Sequence, residues 1–194
     1  MSVHEQMEQA EEAKHAASED RKIALVIAIL ALFLAFSETL GKGAQVEAIH
    51  ADVEGSNMWS FFQAKTIRMA LMRTAAQELT LQSASVADAA IKAAMEKQIE
   101  AWHKTAARYE SEPETGEGRK ELTERARHFE EERNLSLAKY HHYEIASAAF
   151  QIGIVLCSAA VITGIVALVW FAGLLGAAGL AGMLLGAFAP HIFA

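Results

Sequence analysis

Charged and apolar positions are segregated along this chain. Residues 1–22 are polar and acidic, with Glu5, Glu8, Glu11, Glu12, Glu19 and Asp20 set against Lys14, Arg21 and Lys22. They read as a loose helix or an unstructured tail, serving as a solvated leader or a docking segment. Ile23 to Phe36 is then wholly apolar. With Ser37 to Leu40 it gives the stretch 23–40, just long enough for a helix to cross a bilayer. Residues 41–144 return to mixed, helix-favouring sequence. Ile145 to Ala194 contains no Asp, Glu, Lys or Arg, which is room for two spans and a tight turn. The pattern predicts an all-α integral membrane protein. It has three transmembrane helices, one at 23–40 and two in a hairpin at 145–194, and an extramembrane, coiled-coil-like helical domain at 41–144.

Inside that middle stretch the breakers divide the chain. Gly41 and Gly43 loosen the exit from the first span, and a short helix follows at 44–54. Gly55-Ser56-Asn57 reads as a break with an N-cap, starting a helix at 57–82. On that helix Trp59, Phe61, Phe62, Ile67, Met69, Leu71 and Met72 project to nearly every side. A helix apolar all round needs burial from several directions. Neighbouring subunits or the membrane surface would supply it, with Lys65, Arg68 and Arg73 placed to meet lipid phosphates or acidic partners. Ser85 followed by Asp88 resembles a capping box and restarts a helix. Its stripe of Ile91, Met95, Ile99, Trp102, Ala106 and Tyr109 has coiled-coil spacing. Pro113 to Gly118 is a loop. The last helix carries Leu122, Ala126, Phe129, Arg133, Leu137 and Tyr140, and no breaker separates it from the hairpin. One continuous helix is therefore expected over 119–163, roughly 65 Å long. Because the chain leaves the membrane near Leu40 and re-enters near Glu144, upright rods must come in even number. Either 44–54 is a short fourth rod, or 57–82 lies along the membrane.

Composition narrows the function classes. The 194 residues carry a formal net charge of −7 and no basic stripe, which argues against nucleic acid as a partner. Only two Pro interrupt the chain, in keeping with long helices. The single Cys rules out an internal disulfide framework. Phosphate-loop, dinucleotide, zinc-protease, dithiol and nucleophile-elbow motifs are all missing, so no enzyme activity and no cofactor are expected. A 22-residue acidic leader without an A-x-A site favours an uncleaved anchor over a signal peptide. Lys14, Arg21 and Lys22 before the first span place the N-terminus in the cytoplasm and the middle domain in the periplasm.

Several residues are candidates for a specific role. Glu38 and Lys42 stand at i, i+4, the favourable order for a helical ion pair. Glu144, Ser147, Gln151 and Ser158 fall on one side of the re-entering helix, where polar groups in lipid need partners inside the protein. They read as interhelical hydrogen bonding, or with Glu38 as an ion or proton path. Gly173, Gly176, Gly179, Gly182 and Gly186, with the small-xxx-small run Ala178, Gly182 and Gly186, allow close helix packing within or between subunits. Trp59 and Phe62 are candidates for an oligomer contact. Trp170, Tyr140 and Tyr143 suit interfacial anchors. Three E-x-x-H pairs, Glu12–His15, Glu47–His50 and Glu100–His103, echo the repeated element of di-iron bundles, but Glu-rich helices generate such pairs by chance and no metal is expected. His141 and His142 suit the membrane interface.

Asn57-Met58-Trp59-Ser60-Phe61-Phe62-Gln63-Ala64-Lys65-Thr66-Ile67-Arg68 resembles the N-x-W-x-[FY]-[FY]-Q-A-K-x-[IL]-[KR] signature of the bacterial membrane family of domain of unknown function 4337. Tyr143 to Ala146 and Gln151 to Ser158 are similar to the same family, as is the order of one early span, a helical middle and a terminal hairpin. The resemblance implies a three-span protein of the bacterial inner membrane with no assigned activity and no catalytic residue to carry over. Members place Arg in the hairpin turn; here Thr163 to Leu168 has none, which removes the charge that would support a cytoplasmic turn. Together these readings point to a self-associating, non-enzymatic scaffold or an accessory subunit of a membrane complex, with membrane lipid and further copies of the chain as partners. The alternative is an oligomeric channel or small transporter using Glu38 and the Glu144, Gln151 and Ser158 stripe.

Overall fold

A computed structural model describes residues 3–192, with side chains from Asp20 onward. The leader's side chains before Asp20, including Glu12 and His15, lie outside the described residues. Among the described residues there are four α-helices and no strand: α1 Val3–Ser83, α2 Ala89–Glu110, α3 Arg119–Thr163 and α4 Ala167–Phe188. Three stretches are long and apolar enough to cross a membrane, in α1, α3 and α4. The chain divides into two compact units, Met1–Ala48 with Asn134–Ala194, and Ile49–Arg133.

The expected break at Gly55-Ser56-Asn57 does not occur, and 44–54 and 57–82 are not separate helices. Both belong to α1, which runs unbroken through Gly41, Gly43 and Gly55. Ser56 is not an N-cap; its carbonyl accepts from Ser60 Oγ within the helix. An interior Gly costs a helix about 1 kcal/mol, and two of these three are placed where helices come close. A Cβ on Gly41 would lie 3.4 Å from Tyr143 Cβ, and one on Gly55 would lie 3.5 Å from Phe129 Cβ. Gly43 meets nothing, and helical propensity on either side carries it. The continuous helix expected at 119–163 is α3.

In the unit Ile49–Arg133, α1 forms one limb of an antiparallel pair. The returning limb is α2 followed by the start of α3. Met58, Leu122 and Ala126 form its buried core, with Trp59, Phe62 and Phe129 packed around them. The parity problem of three rods disappears, because two of them run consecutively in the same direction. The 57–82 stretch is not a separate tangential helix. It buries one face, Met58, Met69 and Ala76, along the returning limb, and Gly55 and Ala51 extend that face one and two turns earlier on α1. The α2 stripe is half-buried or buried from Met95 to Tyr109, whereas Ile91 is exposed. On α3 Leu137, placed on the stripe by spacing, is also exposed. The start of α2 is Asp88 rather than Ser85: the Asp88 carboxylate accepts from Ala90 N and Ile91 N, and a carboxylate acceptor makes a strong cap. Ser85 Oγ instead donates back to Gln82 O.

In the other unit, the core is Leu30, Ala146, Phe150, Cys157 and Ala172. Gly164, at φ +71°, closes α3, and its N–H bonds Ala160 O at 2.8 Å. That left-handed residue is the usual glycine helix stop. Ser37 is fully buried inside the apolar run and donates its hydroxyl to Tyr143 O at 2.9 Å.

The turn joining α2 to α3 is close-packed at Gly118. A Cβ there would fall on Glu112 N and also within 2.6 Å of Ser111 Cα, both backbone atoms that cannot rotate away. Gly118→Ala should therefore lower stability by about 1–3 kcal/mol. Thermal melting of the full chain followed by circular dichroism would show a reduced midpoint; an unchanged midpoint would mean the turn relaxes freely.

Candidate functional site: a mixed-charge groove and a signature dock

Two places collect the residues singled out in the sequence. The first is a groove of about 260 Å³ between α1 and α3 in the unit holding the termini. Its α1 wall is Ser37, Glu38, Gly41, Lys42 and Gln45; its α3 wall is Tyr140, Tyr143, Glu144 and Ser147. The one-turn repeat along each helix brings these polar side chains to one level, at the end of the apolar run of α1 and the start of that of α3. Gln151 Nε2 donates to Glu38 Oε1 at 3.4 Å. Tyr140 Oη reaches Glu144 Oε1 at 3.5 Å, and His141 Nδ1 lies 4.0 Å from Glu144 Oε2. All three contacts are long, so both carboxylates keep most of their acceptor capacity. The expected Glu38–Lys42 ion pair is not formed: among the described residues no carboxylate stands within ion-pair distance of Lys42. Ser158 is not part of the groove; it is exposed, and its hydroxyl bonds Ile154 O of its own helix at 2.9 Å.

The glycines of α4 are used inside the chain. Ala172, Gly176, Gly179 and Gly186 are buried. A Cβ on Gly176 would come 2.8 Å from Leu30, on Gly179 2.8 Å from the Phe150 ring, and on Gly186 2.9 Å from His142 Cβ. The packed register is thus 172, 176, 179 and 186, not the run Ala178, Gly182 and Gly186. Gly182 has ordinary room at 3.7 Å from Ala146, Gly173 meets nothing, and Ala178 is exposed. His142, read as interfacial, is buried with Nε2 3.2 Å from Pro190 O, while His141 is exposed. Nothing in the helical spacing distinguishes the two; only the position of α4 does.

The second place is the Trp-to-Lys signature on α1. Trp59 Nε1 donates to Glu130 Oε1 at 2.8 Å, and the Trp59 and Phe62 rings meet edge to face at 5.5 Å. The Arg119 guanidinium lies 4.7 Å over the Phe62 ring and pairs with Glu110 at 3.0 Å. Lys65 reaches Glu117 at 3.4 Å and stands 5.3 Å from the Tyr109 ring centre. Arg73 approaches Glu110 at 3.7 Å. One turn after another, the signature therefore grips α3, the turn and α2. Lys65 and Arg73, set aside for lipid or acidic partners, are engaged within the chain; Arg68 remains exposed. The Glu130, Glu117 and Asp52–Arg133 partners were not visible in the sequence, because they lie 52 to 81 residues from the α1 side chains they meet. No three His, Cys, Asp or Glu side chains converge as a metal site among the described residues.

A match to the family model described as "Domain of unknown function (DUF4337)" spans residues 19–189. The chain belongs to the DUF4337 family. No curated protein and no solved structure gives a significant match. In this DUF4337 chain, the Trp59-to-Lys65 block docks the turn of the returning limb.

That turn carries an acid-sensitive contact. Ser111 Oγ donates to Glu121 Oε1 at 2.6 Å and Glu112 N to Oε2 at 3.2 Å. The Ser111 hydroxyl first, then backbone N–H groups, hold the Glu121 carboxyl below the usual carboxylate range. A carboxyl lowered on folding stabilises the fold above its unfolded value and loses that contribution as pH falls through the folded one. The melting midpoint should therefore drop as pH is taken below the ordinary carboxylate range. Glu121→Gln should start lower at neutral pH and fall less steeply in acid; parallel curves for the two proteins would remove Glu121 from this role.

Proposed function

We propose that this chain is a non-enzymatic scaffold of the bacterial cytoplasmic membrane that assembles with copies of itself. Membrane insertion is supported by where the large apolar side chains point. Leu25, Ile29, Leu32 and Phe36 on α1, and Trp170, Phe171 and Leu174 on α4, are exposed, an arrangement costly in water at about 25 cal/mol per Å² and favoured in lipid. The excess of Lys and Arg before the first span makes the N-terminus cytoplasmic and the unit Ile49–Arg133 periplasmic.

The observation that carries self-assembly is a second apolar stripe on α1, opposite in use to the buried one. Val53, Ile67 and Leu81 are 51%, 62% and 77% exposed, and they recur at fourteen-residue intervals, two heptads each. Ile49 and Leu71 lie one turn from members of this row and are also exposed. The two-limbed unit has no further helix with which to cover them. Copies anchored in one membrane stand parallel, so the stripe meets itself in register, as a parallel coiled-coil seam requires. An ion path is less well supported, because Ser158 is satisfied by its own helix and the shared polar row ends at Gln151.

Ile67→Glu combined with Leu71→Glu places like charges in that seam. The gently extracted particle should fall from a defined multiple of the chain to a single copy, by mass measurement in detergent, while helix content stays unchanged. An unaltered particle mass would exclude this stripe as the contact. Stoichiometric co-purification of another membrane protein in place of further copies would make the chain an accessory subunit instead.

A further inference from the structure

We propose that the mixed-charge groove binds the headgroup of an aminophospholipid, phosphatidylethanolamine by its chemistry, with the phosphate on Lys42 and the ammonium on Glu38 and Glu144. This rests on the reading that the apolar helices span a membrane. The two signs of charge share one groove without neutralising each other. Lys42 has no carboxylate partner among the described residues although Glu38 is one turn away, and Glu38 and Glu144 make only long neutral or histidine contacts. Such a site matches a ligand that carries both charges on a short linker. Two carboxylates against one lysine disfavour a purely anionic headgroup. Carboxylates accept N–H hydrogen bonds, which a primary ammonium donates and a trimethylated one cannot.

Size and position agree. The groove, about 260 Å³, is below the roughly 300–1,000 Å³ of drug-sized sites, so it holds a headgroup and not a whole lipid. Exposed Phe36, Leu40 and Ile145 directly adjoin the groove residues in the chain and offer apolar surface for acyl chains. The groove lies where the uncharged runs of α1 and α3 end, the depth at which headgroups sit. Tyr140 and Tyr143 supply the amphipathic rings common at that level.

The test uses the full chain, reconstituted in bilayers containing phosphatidylethanolamine, phosphatidylcholine and phosphatidylglycerol, then extracted and weighed intact with its retained lipid. One phosphatidylethanolamine per chain is expected. Its retention should fall about tenfold in Lys42→Ala, and similarly in Glu38→Gln combined with Glu144→Gln, for the loss of about 1.4 kcal/mol of charge pairing. These side chains are exposed, and an unchanged circular dichroism spectrum verifies the fold. Equal retention of the three lipids, preference for phosphatidylglycerol, or retention indifferent to both variants would overturn the assignment. Stabilisation by soluble phosphoethanolamine with no lipid retained would assign a soluble ligand and overturn the lipid source. Release of the chain from native membranes by alkaline carbonate would instead defeat the membrane reading itself.

Discussion

Helices that turn their large apolar side chains outward can hold one another only through small residues, and that constraint shapes both units. Around the terminal hairpin, Leu30 fills the space above Gly176 and beside Gly153, and Phe150 fills the space against Gly179. Phe150 also stacks on Phe33 at 5.9 Å. The remaining core positions are Ala146, Cys157 and Ala172, side chains small enough to let backbones approach. In the other unit the same logic appears with Ala51, Gly55 and Ala126 on the contact faces and Met58, Leu122 and Phe129 between them. An added methyl at Gly176 or Gly179 would come within 2.8 Å of a neighbouring side chain, because close packing leaves no slack there, whereas one at Gly55 would sit at ordinary contact distance.

The small-residue contacts are not directional along a helix, so something else must fix the register of the interrupted returning limb. The Trp59-to-Lys65 block does this. Trp59 engages α3 by a charge-assisted hydrogen bond, worth more than a neutral one. Phe62 and Lys65 engage the Arg119, Glu117 and Tyr109 side chains at the turn. Each contact alone is modest, as exposed ion pairs are, but each lies at a different level, and together they reach α3, the turn and α2. Sliding α3 by one turn would break the Trp59 and Phe62 contacts, and sliding α2 would break the Lys65 contact with Tyr109. A signature with aromatic and basic residues suggests ligand chemistry when read alone; in place, it specifies pairing.

How much of this was legible in the sequence follows from range. Hydrophobic runs and charge-free stretches act locally, and they located the three long apolar helices and the continuity of α3. The expected breaks in α1 failed because Gly carries two meanings, weak propensity and close approach, and only a partner helix decides between them. Gly41 and Gly55 have Tyr143 and Phe129 opposite them. The α4 glycines are ambiguous for the same reason. The glycines permit several small-residue rows, and Leu30, Phe150 and His142 select the row at 172, 176, 179 and 186. Glu144, Ser147, Gln151 and Ser158 share one side of α3 by spacing alone, and Glu38 and Lys42 stand one turn apart on α1. That Glu144 and Ser147 face Glu38, Lys42 and Gln45 across one groove was not legible, since it depends on the pairing level of α1 with α3.

The direction in which polar side chains face limits what the chain can do. Of the polar groups turned inward, Ser37 is bonded to Tyr143 O and His142 to Pro190 O, contacts that seat helices against one another. Glu38, Glu144, Gln151 and Ser158 face outward. A proton or ion relay confined to one copy needs the reverse arrangement, with titratable groups inside and saturated groups outside. Outward-facing charges beside outward-facing apolar stripes place the available chemistry on the surface of the chain. Recognition and assembly use such surfaces directly, whereas a path for ions would exist only where several copies turn these faces toward a common axis.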